Sequence, residues 1–472
     1  MNKIKKISLA IITAVMFCSL GLIAYADGIY NEAFAIRAGA RLTNGNTVQY
    51  TASLPSLPVS DDGLLYLYAL QPYEYSVPAT APLIATAQAT TNPTFTFPLN
   101  GMICQKFALC IKIAGTNVMI ANGQYVTNPE LAAAHTREPQ KIGFVLPYEK
   151  MVLYNVGETN IAAVLRDNYS TAVIVNRTDK DLINPAAKRP DSAGLANKKF
   201  YYAFNASDLV GVTKLAATMS NFCAATKVDE FIIGNEVNQR CWNYTAYMDW
   251  NQYVREYAQA FRVSYNAIKS TNANAKVYIS LDQYWNMYES VGNTQYMDAA
   301  DFLIAFNNIM ISEGNIDWGV AAHPYPWPMH YAKFWDTSGL RNAGKYTSDI
   351  QSGKILTFQN LPLLTSMMMM PGMLNPSGKV RNVILPEIGI TSAQGVEVQG
   401  AAMMAVYNAA RNNPVINRIY FHRMNEGGMY NFGTSGISEQ IYQSLTVGDP
   451  NAFNAWAMGY IGILDWHQVV MY

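Results

Sequence analysis

From about residue 140 onward, apolar segments of strand length alternate with longer amphipathic segments. The strand candidates read FIIGNEV, KVYISLD, WGVAAHPY, NVILPEIG and RIYFHRM, and the helical stretches include YMDWNQYVREYAQAFRVSYNAIKS and GAAMMAVYNAARNN. Buried strands that alternate with helices predict an α/β domain built on a parallel sheet. A closed barrel and a doubly wound open sheet both satisfy this pattern. No GxGxxG turn follows any strand, which argues against a doubly wound sheet that binds a nucleotide.

The beginning of this α/β region contains fewer clear elements. KMVLYNV and TAVIVNR read as strands, and KKFYYAFN reads as a strand or a loop. About fifty residues separate Leu153 from Asn205, which is tight for three strands with full crossover helices. The spacing therefore predicts that a βα unit of the early sheet is degenerate or missing.

The segment from residue 27 to residue 139 has the pattern of an all-β unit. TVQYTASL, GLLYLYAL, TFTFPL and KFALCIKIA are short β-rich runs, separated by Asn-Gly, Asp-Asp-Gly and Pro-rich stretches. This pattern predicts a small β-sandwich ahead of the α/β domain at residues 140–472. The sandwich could bind carbohydrate or pack beside the larger domain, and packing is the favoured interpretation.

The first 26 residues have the three parts of a secretory signal peptide. A basic start (KIKK) precedes a mostly apolar run, and the AYA at residues 24–26 fits a cleavage site before Asp27. A retained membrane anchor is the alternative, but the apolar run is short for a bilayer span. We therefore expect a secreted protein with no membrane partner after cleavage of the signal peptide.

Composition narrows the range of functions. Half of the residues are hydrophobic and 14% are charged, which suits a large buried core and argues against disorder. The 33 basic residues balance the 33 acidic ones, so nothing indicates nucleic acid or an anionic membrane as a partner. The 31 Tyr and 8 Trp residues offer flat rings that suit sugar binding, although core packing explains most of them equally well.

Four cysteines remain after the predicted signal peptide. In an exported chain, Cys104–Cys110 and Cys223–Cys241 are plausible disulfides, although four cysteines can pair in three ways. No CxxC or His pair accompanies them, so we expect no metal site. We also expect no cofactor.

Polar residues end four of the predicted strands. They are Asn235-Glu236, Asp282-Gln283, His323-Pro-Tyr325 and Glu387. In parallel α/β folds, such groups point into a shared active-site mouth. A carboxylate directly after FIIG or NVILP is costly to bury without partners. A salt bridge at the rim of the sheet could explain either glutamate alone. Two glutamates at the ends of separate strands favour a catalytic role instead.

Cleavage of a glycosidic bond requires two such carboxyl groups. One donates a proton to the leaving oxygen, and the other attacks or stabilises the anomeric carbon. A separation of roughly 5 Å implies retention of configuration, and roughly 6.5–9.5 Å implies inversion with a water molecule between them. The carboxyl groups of Glu236 and Glu387 are the candidates for this pair.

These motifs resemble known families. FIIGNEVNQRCWNY is similar to the strand-4 motif of clan A glycoside hydrolases, HPY to their strand-6 motif and LPEIG to the end of their strand 7. VYISLDQYW, VAAHPYPWP and ILPEIGITS together resemble domain-of-unknown-function family 5722, a bacterial glycoside-hydrolase-like barrel. QYVTNPELAA resembles the region that precedes the barrel in that family. The resemblance implies a (β/α)₈ TIM barrel after the β-sandwich.

The resemblance also implies roles for individual residues. Glu236 would be the general acid/base and Glu387 the nucleophile, while Asn235 would hold the sugar 2-hydroxyl and Tyr325 would hydrogen-bond Glu387. His323 would orient Tyr325 or the substrate, unless it is a satisfied histidine at the rim. The remaining candidates for substrate contact, each with rim packing or ion pairing as the alternative, are Asp282, Trp285, Trp242, Trp327, His422 and Arg423.

Two departures from the clan A pattern accompany this resemblance. The chain reads Asn-Glu-Val where Asn-Glu-Pro is common, and Phe421-His422-Arg423 stands where a strand-8 Trp is expected. The leading hypothesis is a retaining glycosidase that acts on an extracellular polysaccharide or glycoconjugate. The alternative is a non-catalytic carbohydrate-binding or scaffold protein on the same fold. An esterase or peptidase is a weaker third hypothesis, because no GxSxG or HExxH motif is present.

Overall fold

The computed structural model describes most of the chain after residue 36. The described residues are 37–137, 144–150, 170–176, 179–186, 201–245, 249–291, 294–336, 338, 353–422, 430–432 and 436–470. The predicted signal peptide, the predicted domain boundary at residues 139–140 and Arg423 lie outside these ranges. Within them, no helix combines the length and the apolar character needed to span a membrane.

Residues 37–137 form two antiparallel sheets. Their strands are β1 (Arg37–Asn44), β2 (Thr47–Ser53), β3 (Leu64–Leu70), β4 (Leu83–Gln88), β5 (Thr94–Pro98), β6 (Lys106–Ile113), β7 (Thr116–Met119) and β8 (Gln124–Tyr125). One sheet has the order β1–β2–β5, and the other has the order β4–β3–β6–β7 with β8 beside β6. Buried and exposed side chains alternate along β2 and β5, and both sheets contribute to one apolar core. The antiparallel β character predicted for this segment is confirmed.

The α/β region is built on one parallel sheet of seven strands. These are β9 (Phe144–Lys150), β10 (Ser170–Asn176), β11 (Val228–Ile233), β12 (Lys276–Leu281), β15 (Gly319–Ala322), β16 (Val383–Gly389) and β17 (Ile416–His422). Their order is β17–β16–β15–β12–β11–β10–β9. A small antiparallel hairpin, β13 (Glu289–Val291) with β14 (Thr294–Tyr296), follows β12. The five later strands that the apolar runs predict are all present.

The parallel sheet is strongly curled. Tyr420 on β17 and Thr171 on β10 are separated by four strands in the sheet order, yet their hydroxyl oxygens lie 3.0 Å apart. Both hydroxyls contact Glu230 of β11 at 2.9 Å, inside the curl. Among the described residues, no ladder of hydrogen bonds joins β17 to β9. The described strands therefore form a curled half-barrel, and the complete eight-stranded barrel stays a prediction.

Two strands of this sheet precede β11 in the part of the chain that the structure describes. TAVIVNR forms β10, as predicted, and β10 pairs directly with β11. The KMVLYNV prediction begins at the last residue of β9 and otherwise lies outside the described residues. The described end of KKFYYAFN, residues 201–205, makes only isolated bridges, from Tyr202 to Tyr244 and from Phe204 to Ile183. Two described strands, rather than three, precede β11, which agrees with the tight spacing.

Helices pack around the parallel sheet. They are α1 (Leu209–Ala225), α2 (Trp250–Lys269), α3 (Ala299–Ser312), α4 (Pro362–Met368), α5 (Val396–Arg411), α6 (Gly436–Thr446) and α7 (Asn454–Ile461). Asp208, Asp249 and Asp298 begin the first three, and each carboxylate accepts backbone N–H groups of the first turn. The helices predicted around residues 247–270 and 400–413 are therefore confirmed as α2 and α5.

The antiparallel sheets pack closely against α2 and the end of α3. Asn266 on α2 donates to the carbonyl of Ile103 at 2.8 Å, and the Tyr125 N–H donates to the carbonyl of Glu313 at 3.0 Å. Lys106 Nζ lies 3.5 Å from Glu313 Oε1, and both side chains are more than nine-tenths buried. Burial lowers the pKa of Lys106. These contacts favour the packing role over a free binding module.

Replacing Glu313 with glutamine is expected to destabilise the protein by about 3–5 kcal/mol, because the Lys106 ammonium loses its counter-charge in a buried position. Urea unfolding would measure the loss. Asp181→Asn is the matched control, because it removes the exposed partner of Lys214 at 2.9 Å and should cost less than about 1 kcal/mol. Equal losses in the two variants would contradict the prediction.

The four cysteines that the structure describes are free, buried thiols, so the plausible disulfides Cys104–Cys110 and Cys223–Cys241 are not formed. Cys104 lies in the main core, 3.7 Å from the carbonyl of Val263, whereas Cys110 lies in a separate cluster on β6. Cys223 faces the core from α1, and Cys241 belongs to a small cluster in the segment after β11. Each predicted pair is thus divided between two clusters, which proximity in sequence could not indicate.

Candidate active site

The chain leaves β11 in a strained backbone conformation. Gly234 and Glu236 have positive φ angles of 80° and 44°. Glycine adopts such angles freely, and a Cβ at Gly234 would lie 2.5 Å from Val237. For Glu236 the conformation costs about 1–2 kcal/mol, and its backbone N–H is held by the Ser280 hydroxyl at 2.9 Å. Strained residues other than glycine concentrate at functional sites, so the backbone singles out Glu236.

His323 connects the two predicted carboxylates. Its Nδ1 lies 3.1 Å from Glu236 Oε1 and 3.5 Å from Glu387 Oε2. The two oxygens are therefore no more than about 6.6 Å apart, the sum of these distances. Retaining glycosidases hold their carboxyl groups about 5–5.5 Å apart, and inverting ones about 6.5–9.5 Å. The two carboxyl groups are thus close enough to act on one glycosidic bond.

Tyr325 orients the second carboxylate. Its hydroxyl donates to Glu387 Oε1 at 2.6 Å, which is the contact that the family resemblance implies. The Tyr325 ring occupies the space beside Gly389, where a Cβ would approach Cε1 to 2.4 Å. Glycine at this position therefore lets the ring lie against β16. The Glu387 side chain remains about one-third exposed.

The charges around the pair give the two glutamates different environments. Burial raises the pKa of Glu236, and the nearby Glu387 adds to the rise, while His323 and the Trp242 indole oppose it. Burial alone would lower the pKa of His323, but Glu387 and Glu236 outweigh it and the net pKa is raised. A histidine between two carboxylates, one of which has a pKa raised by burial, is an arrangement suited to acid/base chemistry.

A second layer of polar residues lies behind Glu236. Gln239 Nε2 donates to Glu236 Oε2 at 3.2 Å and also to Asp282 Oδ2. Asp282 further accepts from Asn238 Nδ2 and from the Tyr284 N–H. Burial, with the charge of Glu236, raises the pKa of Asp282 to about 7. Glu236 is therefore held from one side by His323 and from the other by Gln239.

Several predicted substrate contacts lie near the pair. Asn235 is partly exposed, and its side chain makes no hydrogen bond to the described residues. Trp242 is partly exposed and its indole N–H hydrogen-bonds Glu236. The Trp327 ring packs edge-on against Tyr284, with 6.2 Å between ring centroids. All three side chains are partly exposed.

His422 lies farther along the same edge of the sheet, at the end of β17 beside Gly389. Its ring centroid is 6.3 Å from that of Tyr430, which is itself 6.3 Å from that of Tyr325. His422 is thus linked to the pair through two aromatic rings. Arg423 lies outside the described residues.

Two predicted substrate contacts are corrected. Trp285 is 0% exposed and belongs to the main core, so its ring offers no face to a sugar. Asp282 is 1% exposed and bonded to Gln239 and Asn238, so it supports Glu236 rather than touching substrate. A position after a strand did not indicate that these two side chains are buried away from a ligand.

Sequence reasoning missed Ser280, Gln239 and Tyr430. Ser280 is a polar residue in the middle of the apolar run VYISLD, and this interruption is a signal that could have identified it. Gln239 lies three residues after Glu236 in a segment outside any helix or strand, and Tyr430 lies in a loop after β17. Neither position has a periodic pattern that could have identified it. Among the described residues, no three His, Cys, Asp or Glu side chains are grouped to hold a metal ion.

A family model matches the α/β region. It is described as a family of unknown function, DUF5722, and covers residues 145–469. The chain belongs to this family. The match confirms the resemblance that the strand-end motifs indicated, and it contains Glu236, His323 and Glu387. The wider clan A resemblance stays a prediction.

Solved structures of glycoside hydrolases show a distant likeness. A family 39 glycoside hydrolase from the gut symbiont Bacteroides cellulosilyticus WH2 is 13% identical with a TM-score of 0.40, over 84% of this chain and 79% of that chain. An FMN-binding beta-glucuronidase from Facaelibacterium prausnitzii L2-6 is 11% identical with a TM-score of 0.31, over 88% of this chain and 62% of that chain. Both TM-scores lie below 0.5, so neither likeness carries a functional conclusion. No curated protein matches the chain.

Proposed function

We propose that this member of DUF5722 is a retaining glycoside hydrolase with Glu236 as general acid/base and Glu387 as nucleophile. The observation that carries the proposal is the contact of both carboxylates with His323 Nδ1, at 3.1 and 3.5 Å. Two carboxyl groups this close, at the ends of separate parallel strands, support a double-displacement reaction, in which both groups act at one anomeric carbon. The contact of Thr171 with Tyr420 across the curl supports a (β/α)₈ barrel as the scaffold.

The proposed reaction has two steps. Glu387, oriented by Tyr325, attacks the anomeric carbon and forms a glycosyl ester, while Glu236 gives its proton to the departing oxygen. Water then attacks the anomeric carbon, Glu236 takes its proton, and the ester bond to Glu387 breaks. The raised pKa of Glu236 suits the first step, because the carboxyl must keep its proton near neutral pH.

The surrounding side chains suggest how a sugar is held. The Asn235 amide, which makes no hydrogen bond to the described residues, can bind a hydroxyl beside the anomeric carbon, and the partly exposed Trp242 and Trp327 rings can pack against a sugar. With the predicted signal peptide, these features support an extracellular polysaccharide or glycoconjugate as the substrate.

Product stereochemistry and covalent trapping test the proposal together. The purified protein would be screened on a glycan panel, and the first-formed anomer of any cleaved substrate would be recorded by NMR. We expect retention, and we expect a matching 2-deoxy-2-fluoro glycoside to label Glu387, identified by peptide mass spectrometry. Inversion would contradict the mechanism. Glycan binding without cleavage, unchanged in Glu236→Gln and Glu387→Gln, would favour the non-catalytic alternative.

A further inference from the structure

The second carboxylate oxygen of Glu236 is hydrogen-bonded by Gln239, whose own amide is fixed by further hydrogen bonds. Gln239 Nε2 donates to Glu236 Oε2 and to Asp282 Oδ2, and its Oε1 accepts from the Cys241 thiol at 3.4 Å. The Gln239 side chain is buried, and each of its polar atoms has a partner. Any change in this amide therefore acts directly on the Glu236 carboxyl group.

Burying the Asp282 carboxylate costs more free energy than a purely structural role would require. It is 1% exposed, and its described partners are the neutral donors Gln239, Asn238 and the Tyr284 N–H. A buried carboxylate without a contacting cation is unfavourable, and neutral side chains could join the same loops at lower cost. Both oxygens of a carboxylate accept, so Asp282 takes the Gln239 N–H on one oxygen and the Asn238 and Tyr284 N–H groups on the other, whereas an asparagine would turn its own NH₂ group toward one of these donors.

We propose that Gln239, held by Asp282, is a positioning residue for Glu236. The inference rests on the proposed function, since it takes Glu236 as the acid/base. Gln239 fixes the rotation of the Glu236 carboxyl group and, by donating an N–H, stabilises its ionised form. That form is needed in the second step, when Glu236 removes a proton from water.

Three titratable side chains lie next to the hydrogen-bonded series Glu236–Gln239–Asp282 in the described structure: His323, Glu387 and Cys241. Glu236 Oε1 faces His323, which also contacts Glu387, and the Cys241 thiol faces Gln239. Burial, with the charge of Glu236, raises the pKa of Asp282, and the Gln239 bond opposes that rise. The pKa values of both Asp282 and Glu236 are therefore expected to depend on hydrogen bonds from the Gln239 amide.

Gln239→Met keeps the length and volume of the side chain and removes its hydrogen bonds. We expect kcat on a glycan cleaved by the wild type to fall about tenfold with little change in KM, as for loss of one charge-assisted hydrogen bond. Because the ionised form of Glu236 loses a donor, the alkaline limb of the kcat/KM profile should move to higher pH. A fall in kcat with an unmoved pH profile would overturn the proposal.

A second measurement does not depend on activity. The Gln239 donor stabilises an ionised Asp282 but not a protonated one, so its loss raises the folded-state pKa of Asp282 further above the unfolded value. Stability tied to such a raised pKa is present at low pH and lost as pH rises through the folded pKa. Gln239→Met should therefore lower the melting temperature more at pH 8 than at pH 5. Equal losses at both pH values would overturn the link between the amide and the carboxylates.

Gln359→Met is the matched control, because Gln359 is also a buried glutamine, in the segment before α4. We expect its effect on the melting temperature to be the same at pH 5 and pH 8, and its pH profile to match the wild type. If the wild type cleaves no glycan, the proposed function fails. The pH-dependent melting difference then shows separately whether Gln239 holds the two carboxylates.

Discussion

Replacing Glu387 with glutamine is expected to lower kcat/KM by about 10³-fold or more on every glycoside that the protein cleaves. The amide cannot form the glycosyl ester, and no change of leaving group compensates for a missing nucleophile. The loss should be independent of the leaving group, as measured with a series of aryl glycosides of decreasing phenol pKa. Tyr325, which donates to Glu387 at 2.6 Å, would still hold the glutamine side chain in place.

Glu236→Gln provides the contrast. Loss of a general acid costs about 10²–10⁴-fold where the leaving oxygen needs a proton, but acidic phenols leave without one. We therefore expect a large loss on natural glycosides and a small effect on the first step with the most acidic phenol. Glu439→Gln, a change on α6, is the control and should match the wild type. A Glu387→Gln variant within tenfold of wild-type activity would exclude Glu387 as the nucleophile.

Removing the imidazole of His323 is expected to have the next largest effect. His323→Leu should lower kcat about 100-fold, because Glu236 and Glu387 lose the imidazole that lies between them. His323 also lowers the pKa of Glu236 through a hydrogen bond and its charge, so the pKa should rise without it. Hydrolysis needs protonated Glu236, and the alkaline limb of kcat/KM should therefore move upward by about one pH unit.

The pH profile separates this role from a general loss of packing. His330→Asn changes an exposed histidine in the segment after β15 and should leave both kcat and the alkaline limb unchanged. If His323→Leu lowered kcat without moving the alkaline limb, the imidazole would not govern the proton of Glu236.

Much of the fold could be predicted because apolar runs and their spacing are local properties. FIIGNEV, KVYISLD and NVILPEIG form β11, β12 and β16, and two described strands precede β11, in agreement with the short interval before Asn205. Whether the sheet closes could not be predicted, because closure depends on contacts such as Thr171 with Tyr420, which are 249 residues apart. The same limit explains the wrong disulfides, since sequence proximity does not place two cysteines in one cluster.

By itself, the sequence determined that polar groups end several buried strands and that Glu236, His323, Tyr325 and Glu387 are among them. Parallel strands bring their carboxyl ends to one edge of the sheet, so these residues are expected to lie near one another at that edge. Only the tertiary structure decided which of the gathered side chains touch. The positive φ of Glu236, the bridge through His323 and the Gln239 bond to Asp282 depend on loop geometry, and loop geometry is set by packing between distant segments. For the same reason, only the structure showed that Trp285 is buried in the core while the Trp242 indole hydrogen-bonds Glu236.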